Sequence, residues 1–160
     1  MDKQIDALQE TIEHLALELP KRKPIDNLSS EFNEDETTIY ISNDVHFGAL
    51  MWAEETRDRD YDTRIASNIF RETTSRLLSK SPNSKYAIVA DLGDLIEADD
   101  FKNATPGSGH GLSVDGRYPK IFKTAYMALV ELVEQCLEKH EIVYFYNIAG
   151  NHDLTTGHAV

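Results

Sequence analysis

The order of apolar runs and helical patterns along this chain restricts the folds that it can adopt. Three short runs, at residues 37–42, 86–90 and 142–148, are rich in β-branched, aromatic or small apolar side chains. Between them, residues 62–79 and 118–139 carry apolar side chains at three- and four-residue spacing, which is typical of helices packed on a core. The order strand, helix, strand, helix, strand predicts an α/β fold, with a parallel sheet covered by helices on both faces.

The N-terminal part of the chain follows a different pattern. Residues 2–19 place apolar side chains at three- and four-residue steps, so we expect an amphipathic helix that ends before Pro20. Residues 26–36 are polar and acidic and are interpreted as a linker. The predicted organisation is therefore a helix and linker over residues 1–36, followed by a domain over residues 37–160. The helix packs either on that domain or on a partner, and a coiled-coil dimer is a further alternative.

Composition and charge exclude several classes of protein. The chain has 160 residues, of which 41% are hydrophobic and 28% charged, as in soluble globular proteins. It contains no apolar run long enough for a membrane span and no secretory signal at its N-terminus, so we expect no membrane partner and a cytoplasmic location. The net charge of −12 argues against a broad nucleic-acid surface, although bound cations would reverse the field of an acidic metal site. The single cysteine, Cys136, lies in a helical pattern and is interpreted as a small buried hydrophobe.

Each apolar run ends in side chains that can bind a divalent cation. The runs are followed in turn by Asn43-Asp44-Val45-His46, Gly93-Asp94-Leu95-Ile96-Glu97 and Gly150-Asn151-His152-Asp153. Ligands of open parallel sheets collect beyond the carboxyl ends of the strands, so we expect residues about 100 positions apart to meet on one rim. Carboxylate, imidazole and amide oxygen together suit Mn²⁺, Fe²⁺ or Zn²⁺ better than a metal that prefers thiolates.

In their order and context, these segments resemble the motifs of the calcineurin-like metallophosphoesterases, D-x-H, G-D-x-x-D/E and G-N-H-D/E. Residues 48–52 and 98–117 also resemble phage-encoded members described as DNA-repair-exonuclease-like. The resemblance implies a metallophosphoesterase-type αββα sandwich. It also implies hydrolysis of a phosphoester by water activated between two divalent ions, with Mn²⁺ expected first and Fe²⁺, Zn²⁺ or Mg²⁺ as alternatives. A phosphodiesterase or nuclease acting on DNA is the first expectation, and a nucleotide or protein phosphatase is the alternative.

The resemblance further implies roles for the matching residues. Asp44 and His46 would bind the first ion, and Asp94 would bridge the two ions. Asn151 would bind the second ion through its amide oxygen. His152 would be catalytic, by stabilising charge in the transition state or by protonating the leaving group. Taken singly, Asp44 could instead cap a turn, Asp94 could form an Asx-turn and His152 could be an ordinary exposed histidine.

The residues beside the motifs have alternative roles. Asp153 is expected to orient His152 or to cap a turn rather than to bind metal. Glu97 is expected to support the site from behind the ligands rather than to bind an ion directly. Asp91 lies three residues before Asp94, and the sequence leaves open whether it belongs to the group of side chains at the rim.

A long, glycine-rich loop over residues 98–117 begins beside the second motif, and such loops at a strand end are often functional. His110 and Arg117 are predicted to bind substrate, Arg117 by a bidentate contact with a phosphate. Alternatively, the loop is flexible, and Asp115 and Arg117 simply begin the following helix. Trp52 either stacks on a base or packs in the core.

The resemblance covers residues 37–154. Relatives continue with further metal-binding histidines, mostly from a second sheet, and this sequence does not contain them. We therefore expect each ion to lack protein ligands and one face of the sheet to form an uncovered apolar surface. The chain is then a fragment of a longer enzyme, a natural truncation, or a half completed by a homo-oligomer or a complementing chain. The hypothesis from a different class is a non-catalytic remnant or interaction module.

Overall fold

Three strands alternate with helices in the computed structural model, which describes residues 6, 9–10, 12–14, 17 and 31–159. The elements are β1 (Asn33–Ser42), α1 (Ala53–Thr56), α2 (Thr63–Lys80), β2 (Ser84–Asp91), α3 (Tyr118–Leu137), β3 (Ile142–Asn147) and α4 (Leu154–Ala159). The predicted strands and the two long predicted helices are all present. Apart from the start of β1, their ends lie within two residues of the prediction.

β1 begins earlier than predicted. It starts at Asn33 rather than at Thr37, so the last four residues of the predicted linker belong to the strand. The main-chain amide of Asn33 donates to the carbonyl of Asn83 at 3.0 Å, and the pairing with β2 changes register before Thr37. Polar side chains are tolerated here because β1 is an outer strand of the described sheet and its first residues are exposed to solvent.

The sheet is parallel, with the strand order β1-β2-β3, and its two long helices lie on one face. The buried core joins Tyr40 and Val89 of the sheet to Phe70 of α2 and Leu129 of α3. Both connections step in the same direction across the sheet, so right-handed crossovers place α2 and α3 on the same side. The prediction of helices on both faces is therefore wrong for the described part of the chain.

The other face of the sheet carries exposed apolar side chains. Ile39, Ile88 and Tyr144 are register partners across the three strands, and Ile39 and Tyr144 are 56% and 49% exposed. Two residues further along their strands, Ile41 and Tyr146 are 58% and 57% exposed. The expectation of an uncovered apolar face is confirmed within the residues that the structure describes.

The core between the sheet and its helices is predominantly apolar. Phe47, Ile96 and Ile121 are among its largest fully buried side chains. Cys136 is also fully buried, and burial raises the pKa of its thiol to about 12, so its interpretation as a small buried hydrophobe is confirmed. Among the described helices, none combines the length and the apolar character needed to cross a bilayer.

The described residues of the N-terminal segment are helical. Ile12 packs against the core of the domain, whereas Leu17 is 86% exposed. The segment thus contacts the domain, as one of the expectations for it stated. The remainder of the predicted helix, and the predicted linker as far as residue 30, lie outside the described residues.

A buried polar group joins β1, β2 and the turn before β3. His140 is fully buried, with Nε2 2.8 Å from the hydroxyl of Tyr40 and Nδ1 2.7 Å from the carbonyl of Ser84. Because a carbonyl only accepts, Nδ1 carries the proton and the Tyr40 hydroxyl donates to Nε2. Burial lowers the pKa of His140, so the ring is held in its neutral form.

Candidate metal centre

The three motif loops leave the carboxyl ends of the strands, and the first loop lies along the second. Main-chain amides in the first loop donate to carbonyls in the second, from Asp44 to Gly93 at 3.1 Å, from His46 to Asp94 at 2.9 Å and from Phe47 to Leu95 at 2.8 Å. These bonds continue the parallel pairing of β1 and β2 beyond the ends of the strands. The backbone thereby brings the predicted ligands of the first two motifs to one place.

Three of the predicted ligands adopt a left-handed backbone conformation. Asp44, His46 and Asp94 have φ angles of 52°, 51° and 54°. Each such residue costs roughly 1–3 kcal/mol unless it is glycine, and such residues concentrate at functional sites. Arg57 and Asn103 share this conformation outside the motifs, so three of the five such residues other than glycine in the described chain are predicted ligands.

Ligand atoms of Asp44, His46 and Asp94 all lie within 4.8 Å of one another. A second group with the same spacing consists of His46, Glu97 and His152, so His46 belongs to both. Asp44 is the most open member, with its side chain 58% exposed, whereas Asp94 is 9% exposed. The side-chain amide of Asn43 donates to the carboxylate of Asp44 and holds it beside the group. Two carboxylates and an imidazole are thus close enough to share one divalent cation.

Glu97 sets the orientation of His46. Its carboxylate lies 2.8 Å from Nδ1 of His46, while Nε2 of the same ring faces Asp44 at 3.8 Å. A carboxylate accepts, so Nδ1 carries the proton and Nε2 keeps its lone pair on the side of the other ligands. The hydrogen bond to Glu97 raises the pKa of His46, and the charges of Asp94 and Asp44 add to this against the cost of burial. Glu97 thus contacts His46 directly, but its carboxylate also belongs to the second possible ligand group, so the expectation that it supports the site without binding an ion stays a prediction.

Asp153 ties the third loop to the second. Its buried carboxylate accepts main-chain hydrogen bonds from Asp94 at 3.2 Å, Leu95 at 2.8 Å and Gly150 at 2.8 Å. The expectation that this residue caps a turn is therefore confirmed. Asp94 in turn accepts from the main-chain amide of His152 at 2.7 Å.

Gly150 is required at the point where the second and third loops touch. A Cβ at this position would lie 2.6 Å from Cγ of Asp94 and closer still to its Oδ1 and its amide nitrogen. Gly93 is equally constrained, because its Cβ would lie 2.8 Å from both the Cα and the amide nitrogen of Gly150, and its φ angle is +103°. The glycines of the two motifs thus allow the backbones to approach closely enough to fix the Asp94 carboxylate.

His152 lies against His46. The two rings meet edge to face with their centroids 4.7 Å apart. Nδ1 of His152 donates to the carbonyl of Glu97 at 2.9 Å, which leaves Nε2 as the free nitrogen of the ring. Asn151 precedes His152 on the same loop and is exposed. Its two neighbours both lie against Asp94, since the His152 amide donates to the Asp94 carboxylate and Gly150 packs against that residue.

Asp91, whose role the sequence left open, is fully buried at the end of β2. Its Oδ1 accepts from the hydroxyl of Ser42 at 2.8 Å, and its Oδ2 has no hydrogen-bond partner. Burial raises its pKa to about 6, and the charges of Asp153 and Asp94 add to the effect. Asp91 is not a member of either group of closely spaced ligands, so the structure shows it as a buried carboxyl behind the strand end rather than as a member of the rim.

The predicted substrate-binding residues are not part of either group of described ligands. His110 is exposed, and its main-chain amide donates within the loop to Oγ1 of Thr105 at 3.0 Å. Arg117 is exposed at the N-terminal end of α3. Asp115 accepts from the first amide of α2, at Thr63, at 3.0 Å, and this bond lowers its pKa.

The structure also shows residues that the sequence did not reveal. Asp99 accepts from the main-chain amides of Thr155 and Thr156, at 2.6 and 2.7 Å, and so holds the start of α4. Tyr61 donates from its hydroxyl to the carbonyl of Val45 at 2.5 Å, inside the first motif. No local pattern signals either contact, because the partners of Asp99 are 56 and 57 positions away.

Trp52 lies on the surface beside the first loop. It is 54% exposed, and its neighbours Leu50 and Met51 are 48% and 47% exposed. The alternative that Trp52 packs in the core is therefore wrong. An exposed indole is free to stack on a ligand.

Comparisons with known proteins identify no relative of this chain. No family model, no curated protein and no solved structure matches this sequence or this fold. The structure establishes a mixed α/β fold with a three-stranded parallel sheet. At the carboxyl ends of its strands lie two overlapping groups of side chains able to hold a metal ion.

Proposed function

We propose that this chain is the metal-binding part of a phosphoester hydrolase of the calcineurin-like metallophosphoesterase type. The observation that carries the proposal is the group formed by Asp44, His46 and Asp94, with Glu97 directing the free nitrogen of His46 into it. Metal-binding histidines commonly donate their second ring N–H to a carboxylate, as His46 does to Glu97. A residue that only caps a turn does not require such a pair. The left-handed backbone at all three residues adds support, since such strain concentrates at functional sites.

The residues of the site fit a division of tasks. Asp44, His46 and Asp94 would hold the first ion, and Asp94 and Asn151 the second. When bound, two divalent ions neutralise the charge of a phosphoester and lower the pKa of a coordinated water. Glu97 keeps the proton of His46 on Nδ1, so that Nε2 remains a donor of electrons.

For His152 we favour proton transfer over metal binding, because Nδ1, the nitrogen on the side of Glu97, is taken up by a hydrogen bond to its carbonyl. The carbonyl of Glu97 holds the proton on Nδ1 of His152, and its outer nitrogen is free to take up a second proton. A ring protonated at both nitrogens would stabilise negative charge on a phosphate or donate to the leaving oxygen. The edge-to-face contact with His46 keeps this ring beside the candidate metal ligands.

The proposed complete fold is a two-sheet sandwich, of which the described sheet is one layer. The exposed face of Ile39, Ile41, Tyr144 and Tyr146 supports this proposal, because a second sheet would bury it. Further histidine ligands would come from that second layer, in the same chain or in a complementing one.

We propose that the substrate is a phosphodiester in DNA. The second candidate is a nucleotide, in which case the enzyme would be a nucleotide phosphatase. The exposed Trp52, six residues after His46 in the sequence, supports a substrate that carries bases. The second candidate is favoured by the net charge of −12, since binders of long nucleic acids usually present a basic surface.

Titration of Mn²⁺ into the chain by calorimetry tests the proposal, with hydrolysis of bis-(p-nitrophenyl) phosphate followed in the same samples. We expect Asp94→Asn to lose Mn²⁺ binding, whereas Asp58→Asn, an exposed acid outside both ligand groups, retains it. Mn²⁺ binding that is unchanged in Asp94→Asn would refute the role of Asp94. His152→Ala is expected to keep Mn²⁺ and to lose whatever turnover the unmodified chain shows, and equal turnover in both would remove His152 from the chemistry.

A further inference from the structure

A cavity of about 260 Å³ lies between β1 and α2, next to the candidate metal centre. It begins at Asn43 and Asp44, at the carboxyl end of β1, and extends to Leu77 near the end of α2. β1 is an outer strand of the described sheet, so the cavity lies along that edge of the sheet.

The chemistry of the cavity walls suits an uncharged, flat group. Apolar walls come from both elements and from α3, including Ile69, Phe70 and Leu132. Thr73, a hydroxyl-bearing residue on the exposed side of α2, also lines the cavity. No lysine or arginine is among the lining residues that the structure describes, so a free phosphate has no cation to meet inside it.

The cavity and the metal centre share residues. Asp44 lines the cavity and is also a member of the group with His46 and Asp94. Tyr61 also lines the cavity, and its hydroxyl is bonded to the carbonyl of Val45 in the first motif. A ligand held by the metal centre therefore has this cavity beside it.

We propose that this cavity binds a planar ring, aryl or nucleobase, attached to the phosphoester whose phosphate lies at Asp44, His46 and Asp94. The inference rests on the proposed function and adds to it the class of substrate. The size is sufficient, because an apolar cavity of about 150 Å³ already accepts benzene. The remaining volume and the exposed Thr73 side chain on the cavity wall accommodate the polar edge of a nucleobase or a ring substituent.

Filling the cavity tests the proposal. Thr73 lies on the exposed side of α2 and lines the cavity, so Thr73→Phe would occupy the space of the ring. Asn68→Phe adds the same side chain to an exposed position of the same helix outside the cavity and is the matched control. Ile69→Trp, also on the cavity wall, is the second variant if circular dichroism shows that Thr73→Phe does not fold.

Binding of phenyl phosphate, thymidine 5′-monophosphate and inorganic phosphate to the Mn²⁺-loaded chain is measured by calorimetry. The unmodified chain and Asn68→Phe are expected to prefer a ring-bearing ligand over inorganic phosphate by about tenfold or more. Thr73→Phe is expected to lose this preference while its affinities for Mn²⁺ and inorganic phosphate stay unchanged. A preference for both ring ligands indicates a general aryl site, and a preference for the nucleotide alone indicates a nucleobase site. Absence of any preference, or a preference that survives in Thr73→Phe, overturns the proposal.

A metal-free measurement separates this proposal from the proposed function. Thymidine and p-nitrophenol are titrated into the ¹⁵N-labelled chain with chelator present, and amide shifts are followed by NMR. If the unmodified chain fails to bind Mn²⁺ but either ring shifts cavity amides, and Thr73→Phe abolishes the shifts, the metal function fails and the ring site stands. If Mn²⁺ binds and neither ring shifts these amides nor is preferred as a phosphate ester, the ring site is overturned and the metal function stands.

Discussion

Gly150→Ala is predicted to damage the metal centre without removing any ligand. The added Cβ would lie 2.6 Å from Cγ of Asp94 and closer still to its amide nitrogen, so the second or the third loop must move. Movement lengthens the bond from the His152 amide to the Asp94 carboxylate, now 2.7 Å, and the bond from the Gly150 amide to Asp153, now 2.8 Å. Overpacking costs about 1–3 kcal/mol, and loss of one hydrogen bond to a carboxylate about 1.5–3 kcal/mol. The free energy of unfolding is therefore expected to fall by about 3–5 kcal/mol.

Urea unfolding followed by circular dichroism measures this loss. With a slope of about 2 kcal/mol per molar urea, the midpoint of Gly150→Ala should fall by roughly 2 M. Gly107→Ala is the matched control, since a Cβ there meets nothing within 4 Å, and it should change stability by less than about 1 kcal/mol. In the same preparation, displacement of Asp94 should weaken Mn²⁺ binding by about tenfold or more. The reasoning is refuted if the two variants unfold at the same urea concentration and bind Mn²⁺ equally well.

Two further predictions concern pH, both with chelator present. Burial raises the pKa of Asp91 to about 6, so protonation of this carboxyl stabilises the native state relative to the unfolded chain. This stabilisation is lost as the pH rises through about 6. Asp91→Asn should therefore raise the free energy of unfolding by about 2–3 kcal/mol at pH 8, with the gain disappearing towards pH 4, and an equal effect at both pH values would contradict this origin. The pKa of His140 is lowered by burial, so its contribution to stability is present above the unfolded value of about 6.5 and lost as the pH falls towards the folded value. The stability difference between the unmodified chain and His140→Gln should shrink from pH 8 to pH 5, and a constant difference would exclude titration of His140 as the cause.

The local patterns of the sequence were sufficient for the three strands and the two long helices, although not for the short helices α1 and α4, and they led to the expectation that the predicted ligands share one edge of the sheet. The helical spacing over residues 62–79 and 118–139 corresponds to α2 and α3, with ends within two residues. Asp44 and Asp94 meet because the carboxyl ends of neighbouring parallel strands share one edge, which follows from the order of elements alone.

What the sequence could not indicate depends on contacts between distant residues or on the direction of the crossovers. Glu97 reaches His46 across 51 positions, and Asp153 reaches Leu95 across 58. Neither contact has a local signature in the sequence. The loops that carry these residues come together only when the three strands have formed the sheet. Helices on both faces were expected from the alternation of elements, but the side that each helix covers depends on the order of the strands.

The early start of β1 has a similar cause. Residues 33–36 are polar and acidic, so a periodic pattern is missing there. They join the sheet because an outer strand keeps one edge in water, where polar side chains carry little penalty. The predicted contacts of His110 and Arg117 with substrate remain predictions, since both residues are exposed and neither belongs to the ligand groups that the structure describes.

The joining of the second and third loops through Gly93, Gly150 and Asp153 determines when the centre forms during folding. The Asp94 carboxylate acquires its hydrogen bond from His152 only after β3 has joined the sheet, across 58 residues of chain. Closing a loop of that length costs conformational entropy before the contacts at its ends compensate for this cost. We therefore expect the centre to form late in folding. An ion that meets the unfolded chain finds single ligands rather than a site. If the proposed metal binds at this centre, it would act mainly by slowing the unfolding of the finished domain, and the apolar core between the sheet and α2 and α3 would form without its help.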